Sequence, residues 1–251
     1  MRVELLGTGG YFANDRRHTA CVLFPEIGLI FDAGSALYRA YGRSTDGTFR
    51  IFLTHAHLDH IVGLPVLLVP LLRGELTQVT LYGSAETLAA VQSHLLETRL
   101  FPVPIPFRYE PILPTGTLKL DEAHMLSWQP LPSHPGGSIA YRLDQTIGQT
   151  RTSVSYVTDT QVDGSYSEFI RNSDLLIHEC NFADSLAELA AISGHSTASD
   201  VGRLAATTGV RKLVVVHVDA CSEADDPIGL PDIQAHFPDV TLGADGMVID
   251  L

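Results

Sequence analysis

Four candidate metal ligands fall within six residues of this chain, in His55-Ala56-His57-Leu58-Asp59-His60. The segment Arg50–Thr54 just before them reads as a strand. In extended backbone, residues two apart point the same way, so His55 and His57 can grip one ion. The chain then turns into a helix, where Asp59 and His60 can face a neighbouring ion. Such nitrogen and oxygen donors suit a divalent metal, zinc first, with manganese or iron as alternatives. Further candidates sit where apolar runs end: Asp159 after Ser153–Thr158, His178 after Leu175–Ile177 and His217 after Leu213–Val216, while His134 lies in the turn before Ser138–Leu143. Chemical groups gather on loops at the carboxyl ends of strands in α/β architectures, because a rigid sheet positions them. His18, His94, His124 and His236 stand alone, and isolated histidines of this kind are satisfied by local packing.

The elements needed to hold these residues alternate along the chain. Strands are expected at Arg2–Leu6, Thr19–Phe24, Leu29–Asp32, Arg50–Thr54 and Val79–Tyr82. A helix is expected at about Leu58–Leu71, and a second, capped by Ser84, runs through Glu97 with Leu88, Val91 and Leu95 at helical spacing. Phe101–Pro114 carries Pro102, Pro104, Pro106, Pro111 and Pro114, so it cannot be regular helix; its apolar residues suggest a packed loop, either a lid or a structural cover. Downstream, strands are expected at Leu118–Pro130, Ser138–Leu143, Ser153–Thr158, Leu175–Ile177 and Leu213–Val216, with helices at about Phe182–Ile192 and Thr197–Thr208. Thr197 with Asp200 resembles a capping box, Val201, Leu204 and Ala205 share a face, and Gly209 is a stop signal. The alternation implies an α/β fold of two mixed sheets with helices outside, as one domain over residues 1–251.

Composition narrows the function classes. Of the 251 residues, 45% are apolar and 18% charged, which excludes a disordered chain. The longest apolar run, Ile61–Leu72, is broken by Gly63, Pro65 and Pro70, so no membrane span is expected. MRVELLGTGG reads as strand and turn rather than a secretion leader, which points to a soluble cytoplasmic protein. Three cysteines without a C-x-x-C pair support neither a disulfide framework nor a thiolate zinc site, and Cys180 reads as small buried filler. A net charge of −13 argues against a long nucleic acid held on a broad basic surface. It leaves room for a small phosphodiester or nucleotide, since bound metal ions supply local positive charge. Gly7-Thr8-Gly9-Gly10 reads as a tight turn, Arg16-Arg17 as a solvated surface pair, and Trp128 and Tyr141 as strand packing.

Taken together, His55-x-His57-x-Asp59-His60 followed by His134, Asp159 and His217 resembles the five-motif set of the metallo-β-lactamase-fold hydrolase superfamily, over nearly the whole chain. The resemblance implies an αββα sandwich, two mixed sheets face to face with helices on the outer faces. It also implies a pair of divalent ions: His55, His57 and His134 would hold the first, Asp59, His60 and His217 the second, and Asp159 would bridge them. Phe31-Asp32-Ala33-Gly34 resembles the family's early Asp motif, in which Asp32 would orient the metal-binding loop. Within the superfamily the chain is similar to the ribonuclease Z-like branch. HAHLDHIVGLPVLL resembles its metal-motif helix, Gly194-His195-Ser196-Thr197 its His-Ser-Thr loop, and His178-Glu179 its His-Glu-Ala-Thr motif, with Cys180 and Asn181 in the last two places. His195 would then stand on the leaving-group side, oriented by Glu179, and His178 would be structural.

The chain departs from ribonuclease Z proper in two places. That family carries a long arm for the transfer-RNA elbow between the third His motif and the bridging Asp, whereas His134 and Asp159 leave room only for two strands and a turn. Gly34-Ser35 also replaces the family's Gly-Glu. Ser133-His134-Pro135-Gly136-Gly137-Ser138 resembles the small armless phosphodiesterases instead. The implied activity is two-metal hydrolysis of a small nucleotide-like or cyclic phosphodiester by a metal-activated hydroxide, with Asp59 orienting or deprotonating the water and His195 donating a proton to the leaving alkoxide. Alternatives are a ribonuclease Z-type 3′-tRNA endoribonuclease, a lactone, thioester or β-lactam hydrolase on the same metals, and a non-catalytic metal-bound sensor. A homodimer follows from family likeness alone.

Overall fold

The structure, a computed structural model of the chain, describes residues 1–222 and 224–251. It divides into two compact units, Met1–Leu113 with Ala244–Asp250, and Pro114–Gly243 with Leu251.

The first unit is built on a seven-stranded mixed sheet. β1 (Arg2–Gly7), β2 (Cys21–Phe24) and β3 (Leu29–Phe31) run as antiparallel neighbours, and β4 (Thr48–Phe52), β5 (Gln78–Gly83) and β6 (Arg108–Pro111) follow in parallel. The C-terminal segment Met247–Asp250 pairs antiparallel with β1 and occupies the other edge. Leu23, Ile30, Ile51 and Leu81 bury one apolar cluster with Leu37, Leu64, Leu67 and Leu88. Full burial of each such side chain contributes roughly 1.5–3 kcal/mol.

The helix expected over Leu58–Leu71 is broken into α1 (Leu58–Ile61), a 3-10 turn at Leu64–Leu67 and α2 (Leu68–Leu72). Pro65 and Pro70 lack the N–H groups a continuous helix needs. Gly63 meanwhile packs so tightly that a Cβ there would lie 2.1 Å from the Gly34 carbonyl oxygen. α3 (Ala85–Ala90) starts as expected, with Ser84 Oγ accepting from the Thr87 N–H at 3.1 Å, but continues as a π turn over Val91–Leu95. The Pro-rich Phe101–Pro114 is not all loop. It contains β6, an edge strand that tolerates Pro111 at its end.

The second unit is also a seven-stranded mixed sheet. The expected strand Leu118–Pro130 is two strands, β7 (Gly116–Lys119) and β8 (His124–Leu131), separated by a turn at Asp121, whose carboxylate accepts from the Ala123 and His124 N–H groups. β9 (Ser138–Ile147) and β10 (Thr150–Val157) form a long hairpin, and β11 (Leu175–Glu179) and β12 (Leu213–Val216) add in parallel. Trp128 and Tyr141 are directly opposed across β8 and β9, both buried, as strand packing requires. α4 (Ser167–Ile170) precedes β11. The helix expected from Phe182 begins later, as a 3-10 turn at Asp184–Leu186 and then α5 (Ala187–Ser193).

α6 (Ala198–Thr208) has the expected bounds and ends at left-handed Gly209. Its capping box is not made in the expected form: Thr197 Oγ1 bonds the Asp200 carboxylate at 2.9 Å rather than a backbone N–H. Several elements lay beyond the sequence reading, among them a 3-10 helix at Ser35–Ala40, α4, α7 (Leu230–Gln234), β13 (Val240–Leu242) and β14 (Met247–Asp250). Among the described residues, no helix is long and apolar enough to cross a membrane.

Candidate metal centre

In the first unit, β4 leads directly into the histidine cluster. The His55 ring lies 4.4 Å from that of His57 and 4.3 Å from that of His60. His55, Asp59 and His60 are buried, while His57 is exposed. Asp32, at the end of β3, is wholly buried and organises the cluster. One of its oxygens accepts from the Thr54 N–H at 2.8 Å, and the other takes His60 Nδ1 at 2.8 Å. Thr54 Oγ1 bonds both Asp32 oxygens and lies 3.0 Å from His55 Nδ1. With His60 Nδ1–H committed to a carboxylate, its Nε2 offers a lone pair. That nitrogen faces Asp59 Oδ2 at 3.2 Å.

The second unit holds the remaining candidates at strand ends. Asp159, after β10, directs Oδ1 toward His217 Nε2 at 3.2 Å and Oδ2 toward His134 Nε2 at 3.6 Å. A carboxylate with each oxygen turned to a different imidazole has the geometry of a bridging ligand. His134 Nδ1 donates to the Gly194 carbonyl at 3.3 Å, which again leaves Nε2 as the lone-pair nitrogen. His195 Nδ1 lies 3.0 Å from Glu179 Oε1, and its ring stacks on His217 at 5.3 Å. Glu179 is fully buried and also accepts the Thr160 and Asn181 N–H groups, so its carboxylate is fixed by two backbone donors.

These donors fit divalent metal ions. Two lone-pair acceptors held about 3.2–3.6 Å apart repel unless a cation or a proton lies between them, and the outer ring nitrogens are already held by Asp32, Thr54 and Gly194, as metal-ligating histidines usually are. The backbone carries strain at the same places. Among the described residues, four non-glycine positions have positive φ, and three of them are Asp32 (57°), Asp159 (49°) and His217 (56°). Such conformations cost of order 1–3 kcal/mol each and collect at functional sites.

The isolated histidines behave as the sequence implied where partners are seen. His124 is held between Asp121 and Gln145, and His18 is bonded to Ser35. His178 is buried, with Nδ1 donating to the Glu179 carbonyl and Nε2 against the Tyr166 hydroxyl, and burial lowers its pKa. Cys180 is buried filler whose thiol burial pushes well above its ordinary range. Of the Arg16-Arg17 pair, Arg16 is exposed as expected, whereas Arg17 is half-buried: it donates to Thr8 Oγ1 at 2.6 Å, and burial lowers its pKa.

Thr54 was legible only as the last residue of a strand; its role in joining Asp32 to His55 required the fold. Gly194 is a second such residue. Its φ is +76°, and a Cβ there would lie 2.8 Å from His134 Cα and 2.7 Å from the Ser133 carbonyl oxygen. Gly194→Ala should therefore lose about 1–3 kcal/mol of stability and weaken metal binding by moving His134. Thermal denaturation with and without zinc measures both effects, and an unchanged midpoint in each would remove this role from Gly194.

The comparisons place this geometry in a family. A model described as Beta-lactamase superfamily domain matches residues 31–218. Ribonuclease Z of Methanosarcina acetivorans is 28% identical, the alignment covering 100% of this chain and 98% of the relative. That alignment runs over 308 positions, more than the 251 residues here, so the relative contains inserted residues. Among solved structures, the metallo-β-lactamase fold protein YhfI from Bacillus subtilis matches with a TM-score of 0.79 and 22% identity over 99% of both chains. Human tRNase Z, short form, matches with a TM-score of 0.76 and 23% identity over 100% of this chain and 99% of that one. These likenesses agree with two mixed seven-stranded sheets of the αββα type. The chain belongs to the beta-lactamase superfamily, as a ribonuclease Z-like metal-dependent hydrolase.

Proposed function

We propose that the protein is a phosphodiesterase that cleaves a small nucleotide-like or cyclic phosphodiester at a dinuclear metal site. His55, His57, Asp59, His60, His134, Asp159 and His217 would hold the ions; zinc suits the donor set. Bound ions would supply Lewis-acid charge to a water and to the phosphoryl oxygens. Asp59 orients that water and accepts its proton. His195, held through Nδ1 by Glu179, presents Nε2 as the proton donor to the leaving alkoxide. The observation that carries this reading is the Glu179–His195 pair stacked on His217 beside the two-sided Asp159 carboxylate. A phosphodiester with an alkoxide leaving group needs such a donor, because the departing oxygen is strongly basic.

A second reading is favoured by the full-length similarity to a protein named ribonuclease Z. It restores a long nucleic acid as a candidate substrate, so the exclusion drawn from the acidic charge does not stand by itself. A short connection between His134 and Asp159, filled by the β9–β10 hairpin, supports the small diester over that RNA. The two separate on protein of measured metal content. The small-diester reading expects hydrolysis of bis(p-nitrophenyl) phosphate and of cyclic nucleotides, with little turnover of p-nitrophenyl monoester and no 3′ trimming of precursor tRNA. Specific tRNA cleavage would replace it, and inactivity on every phosphodiester with metals bound would remove both.

A further inference from the structure

We propose that Asp245, in the turn leading into β14, is a positioning residue for the Asp59–His60 end of the metal site; the proposal rests on the metal-site reading above. The Asp245 side chain is 8% exposed and gathers four donors. Oδ1 accepts from Thr8 N at 3.0 Å and Thr8 Oγ1 at 2.8 Å, and Oδ2 accepts from His18 N at 2.8 Å and from the Arg39 guanidinium at 2.6 Å. Charge-assisted bonds of this kind are about twice as strong as neutral ones.

From His18 a continuous path of hydrogen bonds reaches the ligands. The Thr19 N–H donates to Ser35 Oγ at 3.0 Å, the Ser35 N–H to Thr19 Oγ1 at 2.8 Å, and the Gly34 N–H to the Ala20 carbonyl at 2.9 Å. The adjoining Ala33 N–H donates to the His60 carbonyl at 2.7 Å, and Asp32, next in the same turn, takes His60 Nδ1. The path has little slack: a Cβ on Gly34 would lie 2.4 Å from Thr19 Oγ1 and 2.5 Å from the Asp59 carbonyl oxygen. Ser35, which stands where the resembled family has Glu, is the junction, since its hydroxyl also meets His18 Nδ1 at 3.0 Å.

A simple staple for β14 would look different. The turn is already closed by Gly246 N–H to the Leu5 carbonyl and Met247 N–H to the Ala244 carbonyl, and β14 pairs with β1 in register from Arg2–Asp250 to Leu5–Met247. The four donors to Asp245 named above come from Thr8, His18 and Arg39, on the loop side.

The test is zinc affinity of the folded, metal-stripped protein, read by competition with a chromophoric chelator. Asp245→Ala should weaken one of the two zinc equivalents by about ten-fold or more, as loss of an outer partner of a metal ligand does, and leave the other as in the parent. Asp250→Ala, which breaks the exposed Arg2–Asp250 pair on the same strand, should leave both unchanged. If Asp245→Ala does not fold, Ser35→Ala cuts the same path midway, touches no ligand, and should give the same selective loss. Parent-like zinc affinities in either folded variant overturn the positioning role. A parent protein that binds no zinc overturns the metal-site reading instead.

Discussion

On the proposed dinuclear reading, Asp159→Ala should lose at least one metal equivalent and more than about 100-fold of the proposed phosphodiesterase activity. Loss of an outer partner of a metal ligand already costs about 10–100-fold, and Asp159 is proposed as a ligand itself. Its two oxygens address His217 and His134 separately, so alanine removes the carboxylate facing both imidazoles at once. Alanine keeps a Cβ at a φ of 49° and so relieves no backbone strain there, and the stability of the metal-free variant has to be measured beside that of the metal-free parent. Metal analysis after dialysis, with thermal denaturation of the stripped proteins, distinguishes lost ligation from unfolding. Full metal occupancy in Asp159→Ala would remove the bridging assignment.

His195→Ala should behave in the opposite way, keeping its metals and losing turnover. A positioned general acid contributes about 10²–10⁴-fold. The loss should be greatest on diesters with alkoxide leaving groups and small on an activated aryl ester, whose phenolate departs without a proton. His195 is suited to that role because Glu179 Oε1 holds Nδ1 at 3.0 Å while the Thr160 and Asn181 N–H groups hold the carboxylate. Parallel rate measurements on the two ester types make the comparison, and equal losses on both would count against the acid role.

Much of the site was legible because its residue types are unusual and adjacent. Histidine and aspartate at the ends of apolar runs, as at Asp159 and His217, announce that a strand delivers a polar group, and β10 and β12 do so. What was illegible depends on distance or on weak local signals. β14 has one buried residue, Ile249, between exposed neighbours, so its pattern is too short to separate from a polar tail. Arg17 reads as surface because nothing nearby in sequence shows that Thr8 will receive its guanidinium. The helix over Leu58–Leu71 has helical apolar spacing, yet two missing backbone donors and the tight Gly63–Gly34 approach divide it. The φ > 0 strain at Asp32, Asp159 and His217 has only a weak signal in residue type, since aspartate and histidine are enriched in that region yet occupy it in few of their occurrences.

The pairing of β1 with β14 bears on how the molecule assembles. Arg2 meets Asp250, 248 positions along the chain, so the first sheet draws one edge from a strand that follows the whole of residues 114–243. During translation, β1 through β6 emerge with an unpaired β1 edge, an open template for another chain. Contacts this remote in sequence slow folding, because loop closure must precede any gain from the pairing. The protein should accordingly refold slowly, and a nascent chain stopped before residue 244 should be prone to aggregate even with every proposed metal ligand already made.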